Sequence, residues 1–130
     1  MIRDREVSPV ELVEMYLERI DLLDKQLNAF VTLIGEQAIE AARTAERSVT
    51  DGAELPPFHG VPIAIKDLAE TKGIRTTFSC GPFGEYEPDL DNAAVCRIRE
   101  AGFIILGKTN TPEFGTVPQT ESELNGICRN

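Results

Sequence analysis

Val61-Pro62-Ile63-Ala64-Ile65, running into Lys66-Asp67, and Phe103-Ile104-Ile105-Leu106, running into Gly107-Lys108-Thr109, decide the fold. Each is a short apolar run rich in β-branched residues, and each reads as a buried strand. Pro62 has no amide to donate to a ladder, so it fits best among the first residues of its strand. Strands apolar on both faces belong inside a covered parallel or mixed sheet. Asp91–Ala101 between them reads as a helix: Asp91 or Asn92 caps it, Ala94, Val95, Ile98 and Ala101 face inward, and Gly102 stops it. Thr71–Ser79 is expected to hold a turn at Gly73 and a short strand at Ile74–Phe78. Gly107 is expected to end the second strand. Beyond Thr109, Pro112, Gly115, Pro118 and Gly126 mark extended loops.

Upstream, the pattern is helical. Ser8-Pro9-Val10-Glu11 has the form of a capping box, with Pro9 where no amide is needed. Val10, Val13, Leu17, Ile20, then Leu23 or Asp24, and Leu27 follow at helical spacing, and Asp21 and Lys25 form an i,i+4 pair. This helix is expected to end near Gln26, before Asn28. Residues 36–48 form a second helix with a small-residue face of Ala38, Ala41, Ala42 and Ala45 and a solvated face of Glu36, Glu40, Arg43 and Arg47. Thr50-Asp51-Gly52 and Pro56-Pro57 then punctuate a loop. The fold class is α/β: helices over residues 1–50, then over 58–130 the start of a mixed, largely parallel sheet with helices packed on it.

Composition narrows the function. The 130 residues are 42% hydrophobic and 27% charged, which is globular and suits one domain. Thirteen Lys and Arg against 22 Asp and Glu give a net charge of −9. That balance argues against nucleic acid and against an anionic membrane surface as partners. No apolar run approaches the roughly 20 residues that span a bilayer. The charged start, Met1 to Glu6, has no signal-peptide core. Cys80, Cys96 and Cys128, with one His, make neither a disulfide framework nor a zinc set. A reducing cytoplasm and no metal are therefore expected.

Four positions can carry chemistry. Lys66 ends an apolar strand, and burial disfavours a lysine's charged form, so it can serve as a base or nucleophile. It can equally lie along the surface, paired with Asp67 or Glu70. Gly102–Thr109 matches the phosphate-loop pattern, but its four middle residues are strand formers, a helix precedes them and Pro112 follows, so no phosphate cradle is expected. His59 before Gly60 reads as a turn residue. Ser79-Cys80 offers hydroxyl and thiol, with no base beside them in sequence.

Together these segments resemble the amidase signature family. The resemblance lies in Gly60-Val61-Pro62-Ile63-Ala64-Ile65-Lys66-Asp67, in Gly73 to Thr77, in Arg97 to Phe114, and in Asn125-Gly126 with Arg129-Asn130. It implies amide hydrolysis or transfer by a Lys, a bridging Ser in a cis peptide and a nucleophilic Ser. Lys66 matches the family's Lys. Gly115, Thr116 and Val117, after Glu113-Phe114, fall where members contact a small-molecule amide substrate. The resemblance implies no cofactor and is compatible with an oligomer.

The chain also departs from the family. It lacks the Gly/Ser-rich stretch that carries the bridging Ser, and Ser8, Ser48, Ser79 and Ser122 match neither catalytic Ser. Thr76-Thr77-Phe78-Ser79-Cys80 stands where members have Thr-Thr-x-Gly-Ser. The chain is therefore expected to be an incomplete N-terminal part of one amidase domain, inactive alone. The alternative is a non-catalytic α/β binding or subunit module.

Overall fold

The structure is a computed structural model and describes residues 1–129. Helix α1, Pro9–Leu27, starts where the capping box places it: Ser8 Oγ accepts from the amides of Val10 and Glu11, and the Glu11 carboxylate accepts from the Ser8 amide. Its end is set by Asn28, whose φ of 52° and ψ of 43° break the helix. The Asp21–Lys25 pair forms at 3.4 Å on the exposed side.

A strand that the helical reading passes over follows at once: β1, Phe30–Leu33. Helix α2 then spans Gly35–Thr50, longer at both ends than its spacing predicts. Ala38, Ala42, Ala45 and Val49 are its buried residues, whereas Ala41 is exposed and off the packing face. Next come β2, Pro62–Lys66, α3, Ala93–Glu100, and β3, Ile104–Thr109. Asn92 caps α3 through the Val95 amide, and Val95 and Ile98 turn inward, but Ala94 is exposed. Ile74–Phe78 forms no strand; one isolated bridge, Thr71 to Ile74, closes a turn there. A two-stranded ribbon, β4 (Glu121–Ser122) with β5 (Gly126–Ile127), closes the described chain. Asn130, the last residue of the family motif, lies outside the described residues.

The sheet runs β1-β3-β2, with β2 parallel and β1 antiparallel to the central β3. Strand alternation gives β3 two cores. Ile104 and Leu106 pack with Val13, Ala38, Ala42 and Ala45 on the α1–α2 face. Ile105 packs with Ile65, Ile74 and Val95 on the α3 face. Both runs form strands, but only β3 is buried along its length: in β2 Ile65 alone is buried, and β3 continues through Gly107, Lys108 and Thr109 rather than stopping at Gly107.

Gly107 explains that continuation. A Cβ there would run into the Thr32 carbonyl oxygen, so only glycine lets β1 approach. The β2–β3 register also slips beside it: Ile63 pairs with Ile105, and Ala64 with Gly107. This extra residue in β3 turns Lys108 toward the α3 side of the sheet. Gly107→Ala should therefore cost about 3 kcal/mol of stability. Gly52→Ala, at a φ of +70° with nothing within 4 Å, should cost about 1 kcal/mol. Urea midpoints at constant slope compare the two, and equal losses would contradict the close approach.

A candidate active site at the end of the parallel strands

The sequence-predicted residues collect at one end of the sheet. Lys66 is the last residue of β2, paired with Thr109 at the end of β3. Its side chain is exposed, not buried as its place on an apolar strand suggests. It also pairs with neither Asp67 nor Glu70 among the ion pairs of the described residues. Gly115, Thr116 and Val117 are exposed as well, at the end of a short 3-10 turn, Glu113–Gly115, and in the loop that follows it. That loop lies against the turn that follows Lys66: a Cβ on Gly115 would stand 2.7 Å from Leu68 Cδ1. The fold thus brings together the Lys66 turn and the 115–117 loop.

The buried lysine is instead Lys108, whose side chain is fully inaccessible. Its Nζ donates to Ala69 O at 2.5 Å, Thr76 Oγ1 at 2.7 Å and Thr71 Oγ1 at 3.1 Å, and lies 3.9 Å from Asp67 Oδ1. Burial lowers its pKa to about 8, with Asp67, Asp91 and Glu70 opposing that shift. Asp67 is fully buried too. Its carboxylate accepts from the Thr77 amide and, at 2.5 Å, from Thr77 Oγ1. Thr77 Oγ1 in turn accepts from the Ser79 amide at 3.0 Å and from Asn125 Nδ2 at 3.2 Å.

Sequence reading missed Lys108, Thr71, Thr76, Thr77 and Asn125 as one cluster. A Lys-Thr pair ending an apolar run is the only sequence signal for Lys108, because the register slip that turns it inward leaves no local mark.

The remaining candidates are structural. Gly102–Thr109 is helix end and strand, with no phosphate-binding loop. His59 Nε2 lies 2.9 Å from Ala45 O. Ser79 Oγ accepts from Asn125 Nδ2 at 2.9 Å. A hydrogen bond to Glu113, then burial, pushes the Cys80 thiol up, away from the nucleophilic thiolate. Phe78 and Ser79 both sit at a φ of 53°, a conformation that glycine adopts without strain. The stacking of Phe78 on Phe114, with centroids 5.8 Å apart, and the Phe114 amide's bond to Phe78 O hold this loop against the Glu113–Gly115 turn.

Residues 11–130 match the family model described as Amidase. The chain belongs to the amidase family. A relative from Geobacter sp. strain M21, by name a glutamyl-tRNA(Gln) amidotransferase subunit, is 40% identical over 129 residues, which is 99% of this chain and 26% of that protein. The solved 6-aminohexanoate cyclic dimer hydrolase superposes with a TM-score of 0.86 at 34% identity, over 99% of this chain and 26% of its own. The native peptide amidase from Stenotrophomonas maltophilia gives 0.90 at 30% identity, over 99% and 28%. This chain therefore spans about a quarter of the length of the relatives it matches. Among the described residues, no helix is long and apolar enough to cross a membrane.

The depressed pKa of Lys108 has a definite sign in stability. Between about pH 8 and the ordinary lysine value of 10.5, the unfolded chain holds a proton that the folded chain has released. Stability from this group therefore rises with pH across that window and is flat below it. Relative to Lys108→Met, the natural chain should gain up to about 1.4 kcal/mol per pH unit there. Paired urea titrations from pH 7 to 10.5 check this, and a constant difference would contradict it.

Proposed function

We propose that this chain supplies the lysine-bearing N-terminal part of an amidase that cleaves, or transfers from, a carboxylic amide C–N bond. The reading is carried by one observation: Lys66 stands at the open end of parallel strand β2, beside a turn that touches the 115–117 loop. As the family resemblance implies, Lys66 takes a proton through a bridging Ser hydroxyl, and a second Ser hydroxyl attacks the amide carbon. The C–N bond breaks as the amine leaves with that proton, and water or another amine takes the acyl group. Gly115, Thr116 and Val117 line the substrate's approach.

The chain alone is inactive on this reading. A lysine serves as a base when it is taken out of water, and Lys66 is exposed here. None of the four serines matches either hydroxyl of the mechanism. A second reading, a non-catalytic binding or subunit module, is favoured by the exposure of Lys66.

The test joins residues 1–130 to the remaining three-quarters of a hydrolytic relative and assays simple aromatic and aliphatic amides. The joined protein should hydrolyse them, the isolated chain should not, and Lys66→Ala should cost about 10²–10⁴-fold in kcat. Full activity in Lys66→Ala, or steady Lys66-dependent turnover by the isolated chain, would overturn the proposal. A folded but inert joined protein would favour the subunit module.

A further inference from the structure

We infer that Lys108 is a positioning residue of the candidate site, a buried clamp that fixes the Lys66–Ala69 turn and hence the direction in which Lys66 is presented. The inference rests on the reading of Lys66 as the proton acceptor. It is carried by how the turn is held. The Ala69 amide donates back to Lys66 O at 3.0 Å, closing the turn. Lys108 Nζ then holds two later residues of that turn, Ala69 through its carbonyl and Asp67 through its carboxylate. The Asp67 amide donates to Thr109 O at 3.0 Å, and Asp67 O accepts from the Phe78 amide at 3.1 Å. Asp67 and Ala69 are therefore anchored to β3 and to the threonine loop that Lys108 also grips through Thr71 and Thr76.

A role as core filler does not account for this arrangement. Unbranched Met has nearly the volume of Lys and fills an apolar slot without a charge. The site instead surrounds the ammonium with a carboxylate, a carbonyl and two hydroxyls, all on the segment 67–76. The charged groups facing it are Asp67 at the end of β2, Glu70 in the following loop and Asp91 just before α3. Asp91 is itself engaged, by Arg99 at 2.8 Å and by the Lys72 amide at 2.7 Å. Asp67 is left as the charge matched to Lys108.

A double-mutant cycle on the 130-residue chain tests the clamp. Protection factors of the Ala69, Thr77 and Phe78 amides are measured by hydrogen exchange, with α1 amides as the reference, together with the Lys66 Cε–Hε resonance. Lys108→Met and Asp67→Asn should each lower protection of Ala69 and Thr77 about tenfold or more and move the Lys66 signal. The double variant should lose no more protection than Lys108→Met alone, because both substitutions break the same tie. Core filling predicts instead that Lys108→Met leaves protection within about twofold, and that result would overturn the clamp. Simple additivity of the two losses would overturn it as well. Should Lys108→Met fail to fold, Asp67→Asn decides: it keeps the volume and an acceptor for Thr77, so unchanged protection refutes the clamp. Lys66→Ala should leave the Ala69 and Thr77 amides protected. The proton-acceptor reading then stands or falls separately, on hydrolysis by the joined protein.

Discussion

An ammonium group sits where an apolar sheet meets its covering loop, and the rest of the site is arranged around it. Taking a lysine out of water costs several kcal/mol unless its protons and its charge are met. Lys108 is met by Asp67, Ala69 O, Thr71 and Thr76, which lie within ten residues of one another. That requirement bends the chain after β2 back over the sheet, where Lys108 and Thr109 of β3 hold it. Thr71, Thr76 and Thr77 are fully buried for the same reason: their hydroxyls serve the two charges.

The same cluster ties the two ends of the chain together. Asn125 reaches Thr77 and Ser79 from the closing ribbon. Asn28, placed by the end of α1, donates to Asn125 O at 2.6 Å and accepts from Asn110 at 3.0 Å. The Arg129 amide donates to Leu27 O. A left-handed helix cap, a sheet end and a short ribbon thus meet over one buried ion pair. The strained pair Phe78 and Ser79 lies within this junction, held by neighbours on both sides.

Much of the fold was legible because its signals are local. The capping box at Ser8, the alternating cores of β3 and the Asn92 cap follow from residue type and spacing alone. Strand β1 was passed over because it is four residues long and lies between two strong helices, although Phe30-Val31-Thr32-Leu33 has strand composition. Ala41 and Ala94 show the limit of helical spacing, since small residues carry little signal about which face is buried. The site was legible in part. Lys66 and the 115–117 loop could be singled out by motif, and they do meet through Leu68. The inward turn of Lys108 depends on a register slip between two strands, a tertiary event with no counterpart in local sequence. The exposure of Lys66 has a similar origin, since burial depends on what covers a strand end, and the strand itself does not set it.

The two lysines therefore divide the work at neighbouring strand ends. Lys108 is buried and holds the turn, whereas Lys66 is exposed and is left to meet what the turn presents it to. Lys108 is thus a dry, paired ammonium. Carbon-13 NMR titration of the lysine Cε signals in the intact chain, assigned by Lys108→Met, tests this most directly. Lys108 should titrate near pH 8, below the ordinary lysine value, because desolvation outweighs the pull of Asp67. A Lys108 signal that titrates at the ordinary lysine value near 10.5 would contradict it.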